Sequence, residues 1–293
     1  MGKFANADKQ AGSVMKQLQG SIVRSIGSVR NYEGALKQVA QYCIDSRISL
    51  RQLTPAMALV YLEQRAEDVG QKTLDMERQA IQLMMQQVSH LLEPDKRLPV
   101  IKSEYTQVLN SRAYSQAQVE LIVEAQSPAN AMATELAYSS GLRAHELFTL
   151  LPATERIADT RPALASKFVG REGVLYTVQG KGGLIREVVI PYHLANRLEE
   201  LRLAEPITIT DRHIHYQQHY GINGGNRWSS SFSTASKRAL GWSNGAHGLR
   251  HSYAKRRMVE LQVHCGLNRE QALQTVSQEM GHFRPSITEV YLR

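Results

Sequence analysis

The chain has 293 residues, room for two ordinary domains, and 42% of them are hydrophobic, enough for genuine cores. Its formal charge of +8 and pI near 9.5 favour a polyanionic partner. Two isolated cysteines, Cys43 and Cys265, exclude a disulfide framework or a zinc cluster, and the lack of a signal peptide or membrane-length apolar stretch leaves a soluble, cytoplasmic, nucleoid-associated protein as the expectation.

The first hundred residues read as helices. Tyr32, Leu36, Val39 and Cys43 recur at helical spacing. Thr54-Pro55 is a helix start, a capping hydroxyl with proline at the first helical position, and Ala56, Leu59, Val60 and Leu62 follow. Leu74, Ile81, Met84, Val88 and Leu91 suit one face of a longer helix that Glu93-Pro94-Asp95 breaks. Polar Gln and Lys fill the other faces, so residues 1–105 are expected to form a helical bundle, disordered before Ser13, with Pro99 in a linker that runs to about Ser111. Residues 106–293 form the second domain.

There Ser115 caps a helix, Pro128 marks a boundary, and Ala129 to Leu151 is helical with an interruption at Gly141. Residues 173–178 and 185–190 read as strands, joined by a hairpin turn at Gly180-Lys181-Gly182-Gly183. Helices return at about Tyr192, Ser231, Leu249, Arg269 and Ser286. Residues 212–228, rich in His, Tyr, Gly and Asn, give no clear element. The fold class is mainly α with a small antiparallel β-sheet, in two domains.

The chemistry concentrates late in the chain. His247-Gly248-Leu249-Arg250-His251 is followed by Met280-Gly281-His282, with Tyr291 nine residues after that histidine. A free tyrosine is ionised in only ~1 molecule in 1,000 at pH 7, so a nucleophilic one needs cations and a proton acceptor close by. His247 and Arg250 share a helical face. An arginine fork suits the non-bridging oxygens of a phosphate, and a transition state with charge on two of them calls for a second arginine. Arg143, after the bend at Gly141 and one turn before Glu146, is the candidate. Lys181 at the hairpin tip can protonate a leaving oxygen. His282 can hydrogen-bond the phosphate or the nucleophile.

In this order the pieces resemble the tyrosine recombinase (phage integrase) family. Its Gly-Leu-Arg-x-x-Glu-Leu, hairpin lysine, His-x-Leu-Arg-His-x-x-Ala and Leu-Gly-His motifs correspond here to Gly141 through Leu147, Lys181, His247 through Ala254, and Met280-Gly281-His282, with Thr288 and Tyr291 after them. The resemblance covers roughly Ser111 to Arg293. It implies a C-terminal catalytic domain and an N-terminal core-binding (SAM-like) bundle that close as a clamp on the duplex. Arg143 and Arg250 would bind the scissile phosphate with His282. Lys181 would be the general acid, His247 a proton acceptor or donor, and Tyr291 the nucleophile giving a 3′-phosphotyrosyl intermediate. No metal, ATP or other cofactor is implied. The partners would be double-stranded DNA and a homo-tetramer on two DNA sites, with accessory DNA-bending proteins as a further class. Met280 replaces the usual leucine, and only Leu292 and Arg293 follow Tyr291, where relatives commonly carry a segment that docks onto a neighbouring subunit. Either the chain is cut short or its subunits associate in another way.

Residues 212–259 carry eight Lys or Arg and no Asp or Glu, which nominates Arg212, Arg227, Lys237, Arg238 and Lys255 for DNA contacts. Rival readings are a type IB topoisomerase, which relaxes DNA as a monomer; a metal-dependent relaxase, suggested by His213-Ile214-His215; and a non-catalytic DNA-binding relative. The relaxase leaves the arginines and Lys181 unexplained, and its histidine pair is not expected in a strand.

Overall fold

The computed structural model describes residues 4–105, 110–282 and 284–293, and Lys181 through its backbone alone. The chain divides into two compact units, Met1–Val108 and Leu109–Arg293, and the expected boundary after residue 105 falls at the edge of the undescribed stretch 106–109. Among the described residues no helix is long and apolar enough to cross a membrane.

The first unit contains helices α1 (Ala7–Leu18), α2 (Ile26–Asp45), α3 (Pro55–Asp68) and α4 (Gln71–Met84). Of the stretch before Ser13, where disorder was expected, residues 7–12 lie in α1. Asn6 caps α1 by accepting from the Lys9 N–H at 2.9 Å, and Ala11, Val14, Met15 and Leu18 bury one face of it. The hydroxyl of Thr54 caps α3 in the same way, with Pro55 at its first position. Helix α4 runs on through a π-helical turn, Met85–Ser89, and stops at His90, which is left-handed with φ 54°, ahead of the expected break at Pro94. Part of the expected linker is pinned rather than free: the Gln71 side chain bonds the carbonyl of Ile101 and the N–H of Ser103. Leu36, Val39, Leu62, Ile81 and Met84 are the centre of the core, each contributing about 1.5–3 kcal/mol by leaving water.

The second unit begins with α5 (Gln116–Glu124), which has a Ser115–Gln118 capping box, and α6 (Pro128–Ser140). Gly141 ends α6 in the left-handed region at φ 63°. A short 3₁₀ turn, Glu146–Thr149, replaces the continued helix. Strands β1 (Leu151–Pro152), β2 (Val174–Gln179) and β3 (Ile185–Ile190) form an antiparallel sheet in that order, with Val178 opposite Arg186 and Tyr176 opposite Val188. After α7 (Tyr192–Glu199) comes a second sheet, β4 (Arg202–Asp211) paired with β5 (Ile214–Tyr220). This ribbon is the largest departure from expectation. Its two-residue loop places Arg212 and His213 at φ 50° and 66°, a turn geometry that Asn-Gly usually announces.

Helices α8 (Gly225–Leu240), α9 (Gly248–Val263), α10 (Arg269–Glu279) and α11 (Pro285–Glu289) complete the unit. One core gathers Leu136, Tyr176, Val188, Trp228, Phe232 and Leu249. A smaller one joins α9 to α10 through Leu261, Ala272, Val276 and Met280, and Tyr291 packs on it.

Gly141 allows the bend that brings the next residues under α9. A Cβ there would lie 2.7 Å from the Tyr253 ring. Gly141→Ala should therefore cost about 1–2 kcal/mol from the left-handed backbone alone, with the displaced ring adding to it. A thermal melt should show a clear drop, and an unchanged midpoint would contradict this reading of the bend.

Candidate active site

The site is built around one carboxylate. Glu146 is fully buried. Its Oε1 accepts from Arg143 Nη1 at 2.7 Å, and its Oε2 accepts from both the Arg143 N–H and Arg186 Nη2, each at 2.7 Å. Arg250 Nη1 lies 4.0 Å from the same Oε2. Burial alone would raise the Glu146 pKa, but Arg186, Arg143 and Arg250 overcome it and hold the carboxyl well below the usual carboxylate range.

Arg186 fastens this corner to the end of α10. Its Nη1 donates to the Glu279 carbonyl at 2.7 Å. The Glu279 carboxylate is held in turn by Arg257 and by the Tyr253 hydroxyl at 2.8 Å. The chain then turns at Gly281 (φ 68°), where a Cβ would come 2.6 Å from Arg186 Cδ. That close approach requires glycine and sets His282 beside Arg250.

Arg250 projects from the first turn of α9 and is buried. It donates to the Gly141 carbonyl through Nη1, and from Nη2 to the Met280 carbonyl at 3.1 Å and to His282 Nε2 at 3.2 Å. An arginine only donates, so Nε2 of His282 accepts. Its ring proton then sits on Nδ1, 2.7 Å from Thr288 Oγ1. Burial, then the cations Arg250, Arg143 and Arg186, lower His282 to about 3, which agrees with a neutral ring. Burial and Arg143 bring Arg250 down to about 10, still cationic at neutral pH.

Tyr291 closes the cluster. Its ring centroid lies 5.3 Å from that of His247, 4.7 Å from His251 and 5.2 Å from His282, and the Arg250 guanidinium carbon sits 5.6 Å over it. His251 Nδ1 is 3.2 Å from the Tyr291 carbonyl. Desolvation and then the cations Arg250, Arg112 and Arg143 lower His247 to about 4. His251 is lowered to about 4, first by burial and then by Arg112.

The structure thus brings together Arg143, His247, Arg250, His282 and Tyr291. The side chain of Lys181 lies outside the described residues; its backbone opens the tight turn between β2 and β3. Sequence reasoning missed Arg186 and Glu279, and it quoted His251 within a motif without giving it a role. Arg186 shares the inward face of β3 with Val188 and Ile190, and a charged residue in such a position is a readable signal. The nominated DNA residues are dispersed. Arg212 is in the β4–β5 turn, with Nη2 2.6 Å from Asn226 Oδ1. Arg227 is exposed at the start of α8, with Lys237 and Arg238 in its last turn. Arg238 donates to the Ala125 carbonyl, and Lys255 Nζ to Ser111 Oγ at 2.8 Å. His215 lies in a strand, contrary to expectation, with Nδ1 2.9 Å from Thr210 Oγ1. Among the described residues no group of three or more His, Cys, Asp or Glu could hold a metal ion.

No protein-family model matches the chain, and no curated protein does. Solved structures match over nearly its whole length. XerH site-specific recombinase in a pre-cleavage complex with its difH substrate is 15% identical, with a TM-score of 0.54, covering 98% of this chain and 91% of that one. A lambda integrase dimer bound to a COC′ core site is 15% identical, with a TM-score of 0.60, covering 97% and 94%. The Tn1549 transposon integrase with a circular intermediate DNA is 12% identical, with a TM-score of 0.53, covering 99% and 96%. The fold of this chain is the one these proteins share.

Two predictions follow from this geometry. Glu146→Ala leaves three arginines facing one another without their carboxylate, so chemical denaturation should show a loss of about 3–5 kcal/mol; a loss under about 1 kcal/mol would contradict the role of Glu146 as hub. The histidines titrate near 6.5 in the unfolded chain and near 3 to 4 in the folded one. Between those values the unfolded chain holds more protons, so their contribution is intact above about 6.5 and is lost as pH falls toward 3. Urea unfolding at pH 7 and pH 5 should show lower stability at pH 5, by a margin that shrinks in His282→Gln.

Proposed function

We propose that this chain, which has the fold of the tyrosine recombinases it resembles in sequence, is a site-specific DNA breaking and rejoining enzyme. The observation that carries the proposal is the setting of Tyr291, with its ring against His247, His251 and His282 and under the Arg250 guanidinium. Histidines kept neutral at pH 7 can accept a proton, and Arg143 and Arg250, the latter cationic there, can hold a phosphate. The recombinase and integrases of the same fold, which are bound to DNA, support the same reading.

In this mechanism the Tyr291 oxygen attacks the scissile phosphorus and its proton passes to His247. Arg143 and Arg250 bind the non-bridging oxygens, and His282 assists by accepting from Arg250 and holding its guanidinium in place. Buried Arg250 has an Nε without a protein partner, a donor available for that work. The bond from phosphorus to the 5′-oxygen breaks as Lys181 protonates that oxygen, leaving a 3′-phosphotyrosyl ester. Attack by a 5′-hydroxyl from another strand reverses the steps and reseals the DNA. Fixed donors stabilise the transition-state charge, and no step draws on a metal, ATP or another cofactor. The N-terminal unit serves as the core-binding domain, and four copies act on two DNA sites. A lambda integrase tetramer bound to a Holliday junction, with a TM-score of 0.59, supports that assembly. Arg212, Arg227, Lys237, Arg238 and Lys255 contact DNA phosphates.

A nicked suicide duplex tests the chemistry. The wild type should form a protein–DNA adduct that survives detergent, with or without EDTA. Tyr291→Phe should form none while binding DNA nearly as well, and Arg143→Ala should cleave about 10²–10³ times more slowly. Absence of a wild-type adduct would overturn the proposal, and its loss in EDTA would point to a metal enzyme.

A further inference from the structure

The ribbon of β4 and β5 has two unlike faces. Its inner face packs on the corner that carries Arg143: the Tyr216 ring lies 5.5 Å from Phe148 and 6.2 Å from His145. Its tip is tied to the same corner. Asp211 accepts from the Asn226 N–H at 3.0 Å, and the neighbouring Gly225 N–H donates to the Ala144 carbonyl at 2.7 Å. The ribbon is therefore held in place beside the phosphate-binding arginine.

Its outer face presents Thr208, Thr210, His215 and Gln217, all exposed. They pair directly across the strands, Thr208 with Gln217 and Thr210 with His215. Gln217 Nε2 donates to Thr208 Oγ1 at 2.9 Å, and Thr210 Oγ1 lies 2.9 Å from His215 Nδ1. These contacts orient the side chains yet use only part of their capacity. The second amide hydrogen and the oxygen of Gln217, and Nε2 of His215, remain for an outside partner. A face built for solubility ordinarily carries Lys and other charges. This one is a row of hydrogen-bonding side chains with no carboxylate among them, ending at Arg212.

We propose that this ribbon lies in a groove of the duplex beside the scissile phosphate, and that Thr208, His215 and Gln217 select the base sequence there. The inference rests on the reading of the chain as a DNA breaking and rejoining enzyme. The major groove, ~12 Å wide, admits a two-stranded ribbon, and Gln, Thr and Ser are side chains that read base edges in it. The regular ladder from Ile207 to Asp211, at about 3.3 Å per residue, spans about five base pairs. Arg212 at the tip supplies a phosphate contact that fixes the register.

Selection from a library of randomised duplexes, followed by sequencing, tests this. The wild type should enrich a block of about five base pairs to one side of the cleavage point. The triple variant Thr208→Ala, His215→Ala, Gln217→Ala should lose that preference by about tenfold, on the order of one lost base contact, and still form the covalent adduct on a nicked suicide duplex at saturating concentration. Gln217→Glu, which keeps the side-chain shape, should change the base selected at one position, and a thermal melt checks that both variants fold. An unchanged block in the triple variant, or no block in a wild type that forms the adduct, overturns the ribbon's role. A wild type that selects the block but forms no adduct overturns the enzymatic reading instead.

Discussion

Three guanidinium groups cannot share a small buried volume unless an anion stands among them, and Glu146 is that anion. Arg143, Arg186 and Arg250 reach it from a loop, a strand and a helix respectively. Each would repel the others in a medium of low dielectric constant. The carboxylate turns that repulsion into a fixed arrangement, because both its oxygens are committed. Arg143 and Arg250 keep donors for a ligand, while Arg186 spends its charge on structure. The left-handed turns at Gly141 and Gly281 serve the same end, since each lets the backbone approach a side chain of this network.

The histidines follow from the same charges. Desolvated, and placed beside Arg250 and Arg143, His247 and His282 lose affinity for protons and stay neutral at pH 7. A neutral imidazole can take a proton from a phenol, and a charged one cannot. The hydrogen bond from Arg250 also selects the tautomer of His282 and so directs its ring proton to Thr288. The cations proposed to hold phosphate thus also help keep His247 a proton acceptor beside Tyr291.

Much of this was legible in the sequence. The spacing of Arg143, His247, Arg250, His282 and Tyr291 marked residues that the fold brings together, because each motif lies at a helix end or a glycine turn whose local geometry the sequence encodes. The β2–β3 hairpin was legible from its alternation and its glycines. The β4–β5 ribbon was not, since Arg212 and His213 occupy turn positions that Asn-Gly would advertise and β4 contains a proline. The first turns of α1 were read as disordered although Ala7, Ala11, Val14, Met15 and Leu18 recur at helical spacing. Arg186 was legible as a charge on the inward face of β3, but its partner Glu146 and the pairing of Glu279 with Arg257 join segments far apart in the chain. Tautomers and proton affinities likewise depend on neighbours far away in the chain.

The central claim is that Glu146 acts through the arginines it holds, and a double-mutant cycle on cleavage tests it most directly. Single-turnover cleavage of a suicide duplex would be compared for Glu146→Gln, Arg143→Ala and the double variant. If Glu146 works by positioning Arg143, its substitution should add little once Arg143 is gone, and the double variant should cleave about as fast as Arg143→Ala. Full additivity of the two losses would contradict the account.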